Sequence, residues 1–172
     1  MRWADGETPE VPIDGPGGAT DGLARDLADA VSSLGRPPVP PDALADPGLH
    51  SYRAEPLAAM CASARTYLEG LPSLPGLDLD ACLRVWEAAI ALPGSKQTVA
   101  PRWLHGDLLA ENLLVRNGQL TAVLDFGGLA VGDPTVDLIV GWEVLDRPRR
   151  RLFRSLLGVD EATWLRGRAW AS

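Results

Sequence analysis

Three polar side chains interrupt an otherwise apolar stretch, WLHGDLLAENLLV at residues 103–115. They are His105, Asp107 and Asn112, and a carboxylate, Asp125, follows in VLDFGG at the end of another apolar run. Amide and carboxylate oxygens suit Mg²⁺, which takes its remaining ligands from water and substrate phosphates. A carboxylate outside the metal site can accept a proton or attack. The set therefore predicts phosphate chemistry, with Asn112 and Asp125 as metal ligands and Asp107 as base or nucleophile.

A β-hairpin is predicted between these groups. The segment NLLVRNGQLTAVLDF has two apolar runs joined by Asn117-Gly118, a pair typical of the type I′ turn. Because the two strands of a tight hairpin pair along their length, the outer ends near Asn112 and Asp125 are expected to meet. Asp107 lies in the loop that enters the first strand and is expected beside them.

Helical patterns lie on both sides of the hairpin. Thr20 predicts the cap of a helix that ends at Gly35, a second helix is expected near Glu55, and a third after Asp78. Downstream, the nearly apolar TVDLIVGWEVL predicts a buried helix, and RPRRRLFRSLLG and DEATWLRGRAWAS predict two more. The stretch RPPVPPDALADPG is expected to be irregular. The predicted fold class is α+β, mainly α-helical, with a small hairpin that carries the site.

Composition excludes several classes of protein. The 172 residues carry a net charge of −7, which disfavours nucleic acid as a partner and is compatible with a cationic small molecule. No apolar stretch is long enough for a membrane span, so no membrane partner is expected. Cys61 and Cys82 are interpreted as free thiols, which suits the reducing cytoplasm.

Three motifs in order, LHGDLLAENLLV, AVLDFGG and VGDPTVDL, resemble the aminoglycoside phosphotransferase family. That family has a protein-kinase-like fold and includes relatives such as the choline kinases, and the glycine after His105 favours this small-molecule branch over the protein kinases. The resemblance implies an ATP- or GTP-dependent, Mg²⁺-requiring enzyme. In it Asp107 would be the catalytic base, and Asn112 and Asp125 would hold the metal.

The resemblance also implies roles for supporting residues. His105 and Asp137 would hold the catalytic loop, and Asp137, costly to bury unless hydrogen-bonded, is expected to accept bonds from the loop's backbone. Trp3, Leu114 and Leu124 would contribute to the nucleotide pocket, with core packing as the alternative for the two leucines.

Two further acids are candidates for substrate binding. Glu143 and Asp146 follow the third motif and could bind the amino groups of a cationic acceptor. The alternative is that both are ordinary exposed acids.

The start of the chain resembles the hinge between the two lobes of the family. Residues 1–19, which contain RWADGE, are interpreted as a hinge and linker remnant, and residues 20–172 as the large C-terminal catalytic and substrate-binding lobe. We expect truncation at both ends: the small ATP-binding lobe, with its Gly-rich loop and lysine, is not recognisable upstream, and RGRAWAS stops within a helix. The chain's only lysine, Lys96 in LPGSKQT, lacks the upstream glycine of a P-loop.

The sequence therefore supports one main hypothesis and two alternatives. The main one is phosphoryl transfer from ATP or GTP to a hydroxyl of a small molecule, with aminoglycosides and macrolides as the antibiotic substrates that the resemblance implies. The first alternative is a catalytically inactive lobe that acts as a binding module or has no function. The second is a hydrolase that uses the same carboxylates on phosphate esters.

Overall fold

The computed structural model describes residues 5–9, 19–50, 52–70, 78–95 and 100–171. Helices predominate in these residues, and two small antiparallel sheets lie between the helical parts. The α-helices are α1 (Asp21–Gly35), α2 (Pro41–Ala45), α3 (Leu57–Gly70), α4 (Leu79–Ile90), α5 (Ile139–Glu143), α6 (Arg147–Leu157) and α7 (Glu161–Ala169). The strands are β1 (Arg102–Leu104), β2 (Leu113–Arg116), β3 (Gln119–Val123) and β4 (Ala130–Gly132).

Side-chain caps fix where the long helices begin. Thr20 accepts a hydrogen bond from the Leu23 N–H at 3.0 Å and caps α1, and Asp78 accepts one from the Ala81 N–H at 2.8 Å and caps α4. Both starts were predicted from the sequence, because a capping side chain satisfies a backbone donor that the first turn leaves free. Asp160 caps α7 in the same way.

The predicted hairpin is confirmed. Strands β2 and β3 pair antiparallel, with Leu113 opposite Val123. The turn residues Asn117 and Gly118 have φ of +53° and +72°, the left-handed values that a type I′ turn requires at both positions. Gly118 also packs directly on Thr20, where a Cβ would lie 2.4 Å from the threonine methyl, so the turn is held at the start of α1.

Two segments differ from the sequence-based expectation, and a third forms a strand for which the sequence made no prediction. That third segment, GGLAVGDP, contains strand β4, which pairs with β1, because residues distant in the chain satisfy its backbone groups. The predicted buried helix in TVDLIVGWEVL is instead a 3₁₀ helix, Pro134–Leu138, followed by the short α5. The expected irregular stretch contains α2, which has a proline in its first turn, and a 3₁₀ turn whose Gly48 N–H is bonded to Asp46.

The main core lies between α1, the hairpin, α5 and α6. Phe153 of α6 is fully buried and packs against Gly141, where a Cβ would come within 2.9 Å of its ring. The central buried side chains of this core are Leu23, Leu27, Leu108, Leu113, Val140, Val144 and Phe153. Helix α1 and the hairpin thus form a rigid support beneath the loop between β1 and β2, which carries the candidate site.

Two further expectations, on membrane spans and on the cysteines, are compared with the described residues. Among the described helices none is both long and apolar enough to cross a bilayer. Cys82 is a free thiol and is half-buried, whereas the side chain of Cys61 lies outside the described residues.

Candidate active site

The loop between β1 and β2 brings Asp107 and Asn112 into direct contact. The Asn112 side-chain Nδ2 donates to the backbone oxygen of Asp107 at 2.8 Å and lies 3.2 Å from its carboxylate Oδ2. Asn112 is 7% exposed and lies in a 3₁₀ turn, Ala110–Asn112, whereas Asp107 is half-buried. Because Nδ2 faces Asp107, the amide oxygen Oδ1 is the atom of Asn112 that can serve a metal ion.

The segment of Asp125 is bonded to Asn112 through the backbone of Leu124. The Leu124 N–H donates to the Asn112 carbonyl oxygen at 2.8 Å, so the outer ends of the hairpin meet as predicted. Asp125 is exposed and adopts a left-handed conformation with φ of +53°, and its Oδ1 accepts from the Gly127 N–H at 3.1 Å. Such backbone geometry is uncommon outside glycine and concentrates at functional sites.

Two glycines allow the loop between β1 and β2 and the segment after Asp125 to touch through their backbones. A Cβ on Gly106, which has φ of +80°, would lie 2.4 Å from the Gly128 oxygen. A Cβ on Gly128 would lie 2.9 Å from the His105 oxygen. Any side chain at either position would therefore push the loop of Asp107 away from the loop of Asp125.

His105 is a buried link between the same two loops. Its Nδ1 accepts from the Asp107 N–H at 3.3 Å, and its Nε2 lies 2.9 Å from the Leu124 carbonyl oxygen. Nε2 must carry the proton for both bonds to form. The ring also packs on Phe126, with centroids 4.8 Å apart. These contacts suit the supporting role predicted for His105 and leave it little means of direct chemistry.

Asp137 supports the loop from below. Its Oδ2 accepts from the His105 N–H at 2.7 Å and its Oδ1 from the Gly106 N–H at 2.9 Å, which are the backbone bonds expected of it. Burial raises the pKa of the Asp137 carboxyl, while the two backbone hydrogen bonds act in the lowering direction. Both oxygens face donors, so the geometry matches the ionised form.

A buried ion pair anchors the 3₁₀ helix that carries Asp137. Asp133 Oδ1 accepts from the Thr135 N–H at 3.1 Å, and Asp133 Oδ2 lies 3.6 Å from Nε of Arg166 in α7. Both side chains are almost fully buried, at 1% and 4% exposure. The sequence alone does not reveal this pair, because Arg166 resembles any basic residue of a surface helix until α7 is packed.

Glu143, at the end of α5, also bonds the loop between β1 and β2. Its Oε2 accepts from the Ala110 N–H at 2.9 Å, in the turn that ends at Asn112. Burial raises the pKa of Glu143, and the nearby Glu111 and Asp107 carboxylates add to that rise, against the lowering effect of the Ala110 bond. Glu143 is therefore not the ordinary exposed acid of the alternative interpretation, and its predicted contact with substrate stays a prediction.

Replacing Glu143 with glutamine and with alanine separates its charge from its hydrogen bond. The raised pKa favours folding below the ordinary value of 4.5, and this contribution is lost as the pH rises through the folded-state pKa. Glu143→Gln keeps a hydrogen-bond acceptor but does not titrate. Its free energy of unfolding relative to that of wild type should therefore increase between acid and neutral pH. Glu143→Ala should lose about 1–3 kcal/mol at acid pH, because the buried Ala110 N–H loses its acceptor. This loss should shrink toward neutral pH, because alanine, like glutamine, lacks the titrating carboxyl.

Urea unfolding of the three proteins across this pH range measures both effects. A Glu143→Gln variant whose stability difference from wild type does not change with pH would contradict the assigned burial of this carboxylate.

Asp146 has partners within its own helix. Its Oδ1 accepts from the Arg149 N–H at 2.9 Å and caps α6, and its Oδ2 lies 3.2 Å from the Arg149 guanidinium. Both oxygens thus have internal partners, and the predicted contact with substrate gains no support from this geometry.

The residues predicted for the nucleotide pocket lie at the hairpin, as far as they are described. Leu124 is 39% exposed and Leu114 is half-buried, so neither is a fully buried core residue. Residues 5–9 run beside β2, where Glu7 and Val115 exchange backbone hydrogen bonds of 2.9 and 2.8 Å. Trp3 lies outside the described residues.

At Asp107 itself the structure places a further cation that no sequence pattern indicates. Arg53 Nη1 lies 3.0 Å from Asp107 Oδ1 in an ion pair, although no local pattern around Arg53 signals a role. The described residues contain no cluster of three or more His, Cys, Asp or Glu side chains able to hold a metal. A Mg²⁺ ion shared with phosphates needs only one or two protein ligands, and the oxygens of Asn112 and Asp125 fit that requirement.

A mainly helical fold with a small hairpin, and beside it a loop braced by a buried aspartate, match the predicted fold class, a lobe of the protein-kinase-like fold. The chain belongs to the phosphotransferase enzyme family (APH), whose family model matches residues 1–170. No curated protein matches the chain.

Solved structures share the fold at low sequence identity. The macrolide 2′-phosphotransferase MphH from Brachybacterium faecium is 21% identical with a TM-score of 0.63, over 97% of this chain and 58% of its own. The GDP and kanamycin complex of APH(2″)-IIia is 23% identical with a TM-score of 0.69, over 99% of this chain and 59% of its own. The streptomycin–ATP–APH(2″)-IIa ternary complex is 21% identical with a TM-score of 0.57, over 87% and 51%. The chain thus spans slightly more than half the length of these proteins.

Proposed function

We propose that this chain carries the catalytic loop, the metal ligands and the acceptor-binding surface of an ATP- or GTP-dependent phosphotransferase. The acceptor is a hydroxyl of a small molecule, and aminoglycosides and macrolides are the first candidates. The observation that carries the proposal is the contact of Asp107 with Asn112, together with the backbone bond that joins Asn112 to the segment of Asp125. Macrolide and aminoglycoside phosphotransferases among the structural neighbours support the choice of acceptors.

In the proposed mechanism Asp107 orients the acceptor hydroxyl and takes its proton as the oxygen attacks the terminal phosphorus. The bond from that phosphorus to the bridging oxygen breaks, and its electron pair leaves with the nucleoside diphosphate. Asn112 and Asp125 would hold Mg²⁺, which neutralises phosphate charge when bound. His105, Asp137 and the glycine contacts keep Asp107 at a fixed distance from Asp125.

Nucleotide binding provides the direct test of this proposal. We expect the chain to bind ATP or GTP in isothermal titration calorimetry with Mg²⁺ and to lose this binding with EDTA. Asp125→Ala should weaken the Mg²⁺-dependent part by about tenfold or more, since a charged ligand to the metal–phosphate complex is lost. The matched control is Asp29→Asn, which changes an exposed carboxylate on α1 that is not among the proposed site residues.

The outcome separates the proposal from its alternatives. Binding by wild type that is equally strong in Asp125→Ala would remove Asp125 from the metal site. No Mg²⁺-dependent binding at all would favour the inactive lobe that acts as a binding module. Release of inorganic phosphate from labelled nucleotide, without label in any acceptor, would favour the hydrolase.

A further inference from the structure

Arg53 forms an ion pair with Asp107, the proposed catalytic base. Its Nη1 lies 3.0 Å from Asp107 Oδ1, and the two side chains are 22% and 36% exposed. Burial raises the pKa of the Asp137 and Glu143 carboxyls, and the charge of Arg53 is a smaller influence that acts on both in the lowering direction. The guanidinium therefore lies among the carboxylates of the site.

The backbone of Arg53 is held rigidly. It lies in a 3₁₀ turn, Tyr52–Ala54, whose last residue is 4% exposed and packs in a small core with Leu104, Ala130 and Val136. A Cβ on Gly132 of β4 would lie 2.1 Å from the Ala54 oxygen, so the turn and the strand touch backbone to backbone. This packing fixes the point from which the guanidinium reaches Asp107.

The transferred phosphoryl group must come close to this guanidinium. A hydroxyl bonded to Asp107 lies about 2.7 Å from the carboxylate, and the phosphorus approaches that hydroxyl to about 3–3.5 Å. A guanidinium in contact with the same carboxylate is within reach of oxygens at that position. The approaching phosphoryl group is anionic, and so is Asp107, so an uncompensated pair would repel each other.

We propose that Arg53 is a catalytic residue that donates hydrogen bonds to the oxygens of the transferred phosphoryl group. This inference rests on the proposed phosphotransferase function. In the step the acceptor oxygen bonds to phosphorus, the bond to the leaving diphosphate breaks, and the hydroxyl proton passes to Asp107. Arg53 keeps its own protons throughout, and its charge offsets the repulsion between Asp107 and the incoming phosphoryl group.

The preference for a nucleoside triphosphate over its diphosphate tests this role without requiring turnover. Titration calorimetry with Mg·ATP and Mg·ADP should show that Arg53→Gln weakens ATP binding about tenfold more than ADP binding, because one charge-assisted contact is lost. Arg53→Lys should recover only part of the preference for ATP. The positive charge remains, but the planar guanidinium with its paired donors is lost. Arg151→Gln, an exposed arginine of α6, is the matched control and should change neither affinity.

Turnover provides the second readout. In the presence of an acceptor, Arg53→Gln should lower kcat by about 10²-fold or more, with a smaller change in the KM of the acceptor. Thermal unfolding of each variant shows whether the fold is retained, and the lysine variant keeps the test valid if the glutamine variant unfolds.

The results distinguish this inference from the function on which it rests. Nucleotide binding with an unchanged ratio of ATP to ADP affinity in Arg53→Gln would overturn the role of Arg53 alone. A rise in kcat would also overturn it, because the ion pair would then block Asp107. Failure of wild type to bind either nucleotide would overturn the proposed function and the role of Arg53 with it.

Discussion

Replacing Asp107 with asparagine should lower kcat for phosphoryl transfer by about 10²- to 10⁴-fold, the usual contribution of a general base. Asparagine is nearly isosteric and keeps an oxygen that can accept from Arg53 or from Nδ2 of Asn112. It cannot accept the proton of an attacking hydroxyl. The affinity for Mg·nucleotide should therefore stay close to that of wild type, because Asp107 is not among the proposed metal ligands.

Steady-state transfer of labelled phosphate to an acceptor measures this effect, and calorimetry measures nucleotide affinity in the same preparation. Asp29→Asn makes the same chemical change on the exposed face of α1 and should leave both quantities unaltered. If Asp107→Asn kept wild-type kcat, another group would have to be the base, and the interpretation of the catalytic loop would be wrong.

Replacing Asp137 should have the largest effect on stability. In Asp137→Ala the buried N–H groups of His105 and Gly106 lose their acceptors, at 2.7 and 2.9 Å in wild type. Each unsatisfied buried donor costs about 1–3 kcal/mol, so the variant should lose roughly 2–6 kcal/mol of unfolding free energy. A loss of that size is a large part of the stability of an ordinary domain.

Asp137→Asn tests whether the two oxygens are required together. The amide has a single oxygen, and its NH₂ group would face one of the two backbone donors, so we expect a loss almost as large as in the alanine variant. Chemical denaturation measures both variants against wild type and Asp29→Asn. An asparagine variant as stable as wild type would show that one of the two hydrogen bonds contributes little.

Much of the candidate site could be predicted from sequence because its signals are local. Asn117-Gly118 specifies a type I′ turn, and such a turn brings the ends at Asn112 and Asp125 together irrespective of the rest of the chain. The caps at Thr20 and Asp78 are likewise set by residues within one helical turn. For Asp137, the resemblance to the family implied that the carboxylate accepts bonds from the backbone of the loop, and the structure contains these bonds.

Sequence patterns gave no prediction or a wrong one where distant segments decide the conformation. No element was predicted for the segment of β4, which has no strand pattern of its own and becomes a strand because β1 is beside it and pairs with it. TVDLIVGWEVL looks like a continuous helix, yet its first part winds as a 3₁₀ helix, Pro134–Leu138, in which Asp137 faces the catalytic loop. Local propensity is a weak influence when tertiary hydrogen bonds of buried groups compete with it.

The sequence by itself determined the family and the hairpin, and it singled out Asp107, Asn112 and Asp125 as candidate site residues, because turn chemistry and motif spacing act over a few residues. Only the tertiary structure decided the partners of these groups. Glu143 bonds Ala110 across 33 residues, and Arg53 reaches Asp107 from a separate 3₁₀ turn. Neither contact has a periodic or local signature, because each depends on the packing of elements that are distant in the chain.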